Sequence, residues 1–206
     1  MKKKLAIALV LLLLAVGGAF GWMGYRLFTT GFSAKTEPHM LEEMMARQIR
    51  HLAIPIDHRN APNPVPLTPE VLEEGLAHFA DHCATCHAND GSGGTPIGKN
   101  VYPKAPDLRL DATQSMSDGE LFWIIHNGIR FTAMPAWGKG APEKDLDSWK
   151  LVHFIRHLPQ LTAEELEEMK SLNPKTKREL EEAAAFDRFL QGDDTAAGSL
   201  DAGHHH

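Results

Sequence analysis

From Leu5 to Tyr25 the chain runs 21 residues without a formal charge, directly after Met1-Lys2-Lys3-Lys4. About 20 apolar residues suffice to cross a bilayer as a helix, whereas a secretory h-region is about 7–15 residues long. Gly17-Gly18-Ala19 or Ala19-Phe20-Gly21 would suit a small-residue cleavage site, but hydrophobicity continues past both. Trp22, Tyr25 and Arg26 then stand where interfacial anchors belong. The pattern predicts a retained transmembrane anchor over residues 1–30, with a cleaved signal as the alternative. In either case the three lysines stay inside, and the bulk of the protein lies outside the cytoplasm.

The apolar pattern then changes to a helical period. In "MLEEMMARQIRHLA", residues 40–53, Leu41, Met44, Met45, Ile49 and Leu52 share one face, with Arg47, Arg50 and His51 elsewhere. Such a helix packs on its own domain or a neighbouring subunit, or docks at a membrane surface. Residues 54–67, "IPIDHRNAPNPVPL", hold four prolines and read as a semi-rigid extended linker. Thr68-Pro69-Glu70 then gives an N-cap, a proline at the first helical position and an acid in the first turn. That helix runs into Cys83, with Val71, Leu72, Gly75, Leu76 and Phe79 inward. Ser117-Asp118-Gly119-Glu120 is a capping box for a second helix ending near Gly128. A third spans about Glu143 to Leu158, where Pro159 stops it. No alternating strand pattern appears, so residues 68–160 are expected to form an all-α domain.

The rest of the chain is polar. Residues 161–206 form a tail with five basic and eleven acidic groups, and its balance equals the net charge of −6 for the whole chain. Thr162 to Glu165 is another capping box, a further helix is expected from Pro174, and beyond Gly192 the composition reads as disordered. The terminal Gly203-His204-His205-His206 is left out of the site argument. No basic stripe with interleaved aromatics appears, which argues against a nucleic-acid partner.

The candidate chemistry sits in "HCATCHANDGSGG", residues 82–94, which contains both cysteines of the chain. A thioredoxin-like pair belongs near a βαβ pattern and has no need of His87. A zinc site needs four ligands, and Cys83, Cys86 and His87 supply three without a second pair to close the shell. A disulfide across two residues stabilises little. Covalent c-type haem attachment uses all three: thioethers from Cys83 and Cys86, and His87 as an axial ligand. The Gly- and Pro-rich loop between His87 and Ser117 is too long for a small domain unless it wraps a large group. For the opposite axial position the candidates are Met116, Met134, His126, His153 and His157. Met116 stands at the staple position of a helix, and His126 at a favourable C-terminal turn. His153 and His157 read as a solvated face. Met134 lies in "FTAMPAWGKG", where Pro135, Gly138 and Gly140 allow the backbone a close approach. A thioether there suits an electron-carrying iron.

"CATCH" preceded by a helix, "IIHNGIRFTAMPAWG" and the closing helix "DSWKLVHFIRHL" together resemble a bacterial class I c-type cytochrome over roughly residues 68–160. The anchor and "ARQIRHLAIP" are similar to a membrane-tethered subgroup. The resemblance implies a class I cytochrome c fold with one covalently bound haem c, and a crossing of the first and last helices through Gly75, Phe79, Leu151 and Phe154. It implies His87 and Met134 as iron ligands and a proline carbonyl, best matched by Pro106 with Pro103 and Pro96 competing, that accepts from the axial histidine. Leu108, Leu121, Phe122, Ile125, Phe131 and Trp137 would wall the haem. Tyr102 and Trp137 would donate to its propionates or belong to the core, and Asp81 and Asp90 would be solvated. The function implied is single-electron transfer between respiratory partners on the periplasmic side of a bacterial inner membrane, by a protein that is not itself an enzyme. The alternatives are a haem subunit of a larger oxidoreductase, with residues 40–53 and the tail as subunit contacts, and a haem peroxidase or gas sensor with a labile Met134.

Overall fold

The computed structural model describes residues 2–31 and 33–190, and among them every regular element is helical. The stretch beyond Gly192, read above as disordered, lies outside the described residues. Helix α1 (Lys2–Thr30) is long and apolar enough to cross a membrane, and none of its apolar window is buried within the protein. Helix α2 (Met40–Ala53) follows, and then the proline-rich segment.

That segment is not a free-standing spacer. It contains a short turn of helix, α3 (Ile56–Arg59), and threads across the helical domain. Ile54 is buried. The Asn63 side chain donates to the Trp149 carbonyl at 3.0 Å, and the Val65 carbonyl lies 2.7 Å from His153 Nε2. Gly119 makes room for it, since a Cβ there would stand 2.0 Å from the His58 carbonyl oxygen. The prolines remove donors that the crossing would otherwise have to satisfy.

Helix α4 (Pro69–His78) is capped by Thr68, whose hydroxyl accepts from the Val71 amide. It continues as a π turn, Phe79–Cys83, into α5 (Ala84–His87). The long loop is less irregular than expected, because it holds α6 (Pro96–Asn100) and α7 (Asp111–Gln114). Asp90 is not simply solvated: it accepts from the Ser92 amide and pairs with Arg109, whose guanidinium also grips Asp107. These contacts cross-link the loop. Helix α8 (Asp118–Asn127) starts at the Ser117–Glu120 capping box and ends at Gly128. Helix α9 (Leu146–His157) starts later than the sequence pattern suggested, because Asp145 is the cap that accepts from Ser148 and the residues before it form a 3-10 turn.

The core is the crossing of α4 on α9 with α8 alongside. At Gly75 the helices meet so closely that a Cβ would lie 2.8 Å from the Lys150 carbonyl oxygen. Phe79 and Phe154 pack at 5.1 Å, Phe122 stacks on Trp149 at 4.1 Å, and Leu151 is buried. Helix α10 (Ala163–Leu172) carries Met169, fully buried, onto α4 and the π turn. His157 binds its capping Glu165 at 2.8 Å. His153 and His157, expected on a solvated face, therefore fasten the segments before and after the domain to its last helix. Helix α11 (Lys177–Leu190) begins three residues after Pro174, at a turn where Thr176 and Glu179 cap each other.

Candidate haem-binding site

The π turn and α5 present Cys83, Cys86 and His87 on a rigid continuation of α4. Both cysteines are free and partly accessible at the surface. Burial of its sulfur pushes the Cys83 thiol up to about 12, the reverse of the lowered value that a redox-active thiol needs. Among the described residues no three His, Cys, Asp or Glu side chains gather as a metal cluster, so these three side chains do not close on a point as a zinc shell would.

After His87 the backbone turns sharply, with Ala88 at φ +61. The Gly93 amide donates to the His87 carbonyl at 2.8 Å, and the Thr95 hydroxyl to the Cys86 carbonyl at 3.2 Å. Gly98 packs against the same turn, where a Cβ would stand 2.2 Å from the Cys86 carbonyl oxygen. The loop thus folds back over the motif and brings Pro106 to His87.

His87 is buried, and its Nδ1 has no hydrogen-bond partner. Burial lowers its pKa while the Pro106 carbonyl beside it pulls the other way. The net shift is downward and favours the neutral imidazole, the form that ligates metals. An orphaned buried nitrogen is costly unless something orients it. A ring bound through Nε2 to a metal would carry its proton on Nδ1, facing that carbonyl. The residues present therefore fit a covalently attached haem.

Met134 is half-buried in the loop after α8. The Ile129 amide donates to its carbonyl at 3.1 Å, and its amide donates to the Thr132 hydroxyl at 3.1 Å. The loop is held against α8 by the Trp137 and Gly138 amides, which donate to the Ile125 and His126 carbonyls at 3.0 Å each. Trp137 stands edge-on to His82 at 5.0 Å, joining the methionine loop to the residue before Cys83.

The other ligand candidates have different engagements. His126 is buried, stacked on Phe122, and bound through Nδ1 to Asp145 at 2.6 Å. Asp145 also receives the Ser148 hydroxyl at 2.6 Å; burial raises its pKa, but Ser148 and His126 outweigh that and hold it below the usual range. This triad was not apparent from the sequence, although Asp145 three residues before Ser148 is a capping signal. Met116 meets the Arg50 guanidinium at 3.8 Å. The Tyr102 hydroxyl, expected at a propionate or in the core, binds Glu42 of α2, a contact that raises its pKa to about 12. Leu108, Leu121, Phe122 and Ile125 are buried and Trp137 is partly so, whereas Phe131, at φ +63, is 95% exposed and packs on none of them.

A Cys-x-x-Cys-His motif on the first helix of a Gly75-mediated crossing, followed by a methionine loop and a closing helix, is the arrangement of a c-type cytochrome domain, a class that works through haem in electron transfer. More particularly, residues 70–155 match the family described as cytochrome c oxidase, cbb3-type, subunit III. The match runs from the first turn of α4 to near the end of α9.

Proposed function

We propose that this protein is a membrane-tethered, monohaem c-type cytochrome that passes single electrons between redox partner proteins outside the cytoplasm. The observation that carries the reading is the buried His87, its orphaned Nδ1 beside the Pro106 carbonyl, directly after the Cys pair. Cys83 and Cys86 would hold haem c through thioethers, which supplies one-electron iron chemistry when bound. His87 Nε2 would bind the iron while the Pro106 carbonyl fixes the ring and raises its basicity. Met134 would supply the second ligand, a soft sulfur that favours reduced iron. Leu108, Leu121, Phe122 and Ile125 exclude water from that side. Trp137 remains the better propionate donor, since Tyr102 is engaged by Glu42.

A second reading, a fixed haem subunit of a larger oxidase, is favoured by the subunit named in the family description. Purification from membranes in mild detergent separates the two: co-purifying oxidase subunits support the second reading, a lone chain the first. The site is tested by substitution. Met134→Ala should lower the reduction potential, remove the far-red sulfur-to-iron band and let carbon monoxide bind the reduced protein rapidly. Met116→Ala should cost only about 1 kcal/mol of stability. Retention of the band in Met134→Ala, with its loss in Met116→Ala, would reverse the ligand assignment.

A further inference from the structure

Helix α2 is oriented the wrong way round for a helix facing water. Its polar side, not its apolar side, meets the domain: Arg50 contacts Met116, His51 Nδ1 lies 2.6 Å from Glu120 of the α8 capping box, and Glu42 takes the Tyr102 hydroxyl. Its C-terminal carbonyls are closed by Arg59, which donates to His51 and Ile54 at 2.8 and 3.0 Å. At about 100° per residue, Leu41, Met44, Met45, Ile49 and Leu52 centre roughly opposite Arg50. These five and Met40 are 53–80% exposed, and no residue of α2 is buried. An ordinary surface helix turns such a stripe inward.

The position of α2 in the chain indicates what covers it. Residues 31–39 separate the end of α1 from Met40, so the stripe starts within about 35 Å of the end of the apolar helix. Glu43 and Arg47, on the polar side away from the stripe, pair with each other, leaving apolar area as the dominant attraction of the stripe itself. We propose that the apolar face of α2 lies in the surface layer of the same bilayer that α1 enters, as an in-plane helix, and so seats the domain on the membrane in one orientation. The inference rests on the reading of α1 as a membrane span. Methionine, leucine and isoleucine side chains enter the boundary between headgroups and acyl chains, while Arg50, His51 and Glu42 hold the domain above it.

The test uses the full haem-loaded chain in nanodiscs of phosphatidylcholine and phosphatidylglycerol, with a nitroxide on Met45→Cys, Ile49→Cys, Glu43→Cys or Leu14→Cys. The wild-type chain, its own cysteines consumed by haem, serves as the unlabelled blank. The expected result is that labels at 45 and 49 collide with oxygen and are shielded from a water-soluble nickel chelate, with label 43 reversed. Labels 45 and 49 as open to nickel as label 43 would overturn the proposal, as would shielding from both reagents, which marks a covering protein. Label 14 separates the two readings. If it is open to nickel, the anchor itself is refuted; if it is lipid-shielded while 45 and 49 are wet, only the placement of α2 falls.

Discussion

Gly128 ends α8 at φ +66, ψ −171, a backbone region that is essentially glycine-only. A Cβ there would lie 2.6 Å from the Pro135 carbonyl carbon and 2.8 Å from the Met134 carbonyl oxygen, both backbone atoms with no side chain to swing away. Gly128→Ala therefore carries two costs, about 1–3 kcal/mol of backbone strain and about 1–3 kcal/mol of overpacking. Gly140 is the internal control. It has φ +71 but nothing within 4 Å of the added carbon, so Gly140→Ala carries only about 1–2 kcal/mol of strain. At about 4–8 °C per kcal/mol for a domain of this size, thermal unfolding should place Gly128→Ala clearly below Gly140→Ala. The same variant should weaken or shift the far-red methionine band, because the colliding backbone belongs to the Met134 loop. Equal melting temperatures with an unchanged band in both variants would refute the claim that α8 and this loop position the methionine by close backbone contact.

Acid should act through Asp145. Its pKa is depressed in the folded state, so its stabilisation is present above the ordinary carboxylate value and lost as the pH falls through the folded one. Asp145→Asn should destabilise the protein at neutral pH by about 1–3 kcal/mol, through Ser148 and His126 left poorly paired, and the deficit should shrink in acid denaturation curves below about pH 4. A deficit constant across that range would contradict it. His153→Ala removes the hydrogen bond that the ring makes to the Val65 carbonyl. It should cost about 1 kcal/mol and speed limited proteolysis within residues 54–67, whereas an unchanged cleavage rate would show that the segment is held by other contacts.

What could be read from the chain was what local physics encodes. The α2 boundaries follow from its 3.6-residue stripe, and the starts of α8 and α10 from capping boxes in which Ser117 with Glu120 and Thr162 with Glu165 satisfy each other. Gly75 in the helical crossing came from the family resemblance, and the structure supplies its reason, since only a missing Cβ permits such an approach. The proline-rich segment was misjudged because its partners lie far along the chain: the Trp149 carbonyl, His153 and the space left by Gly119. His153 and His157 looked like one solvated pair for the same reason, each having a partner on a different appended segment. The His126–Asp145–Ser148 triad and the turn of Phe131 to the surface needed the tertiary path of the loop. The π turn carries no signal of its own, since Phe79–Cys83 continues the helical pattern of α4.

The central claim is that Cys83 and Cys86 carry a haem whose iron His87 binds. The most direct measurement is the mass of the denatured chain, taken after acid–acetone extraction, together with haem staining on a denaturing gel. The account expects one haem to remain on the polypeptide, and Cys83→Ala or Cys86→Ala to weaken the staining sharply. A wild-type chain that yields its haem intact to the solvent, or never carries one, would contradict it.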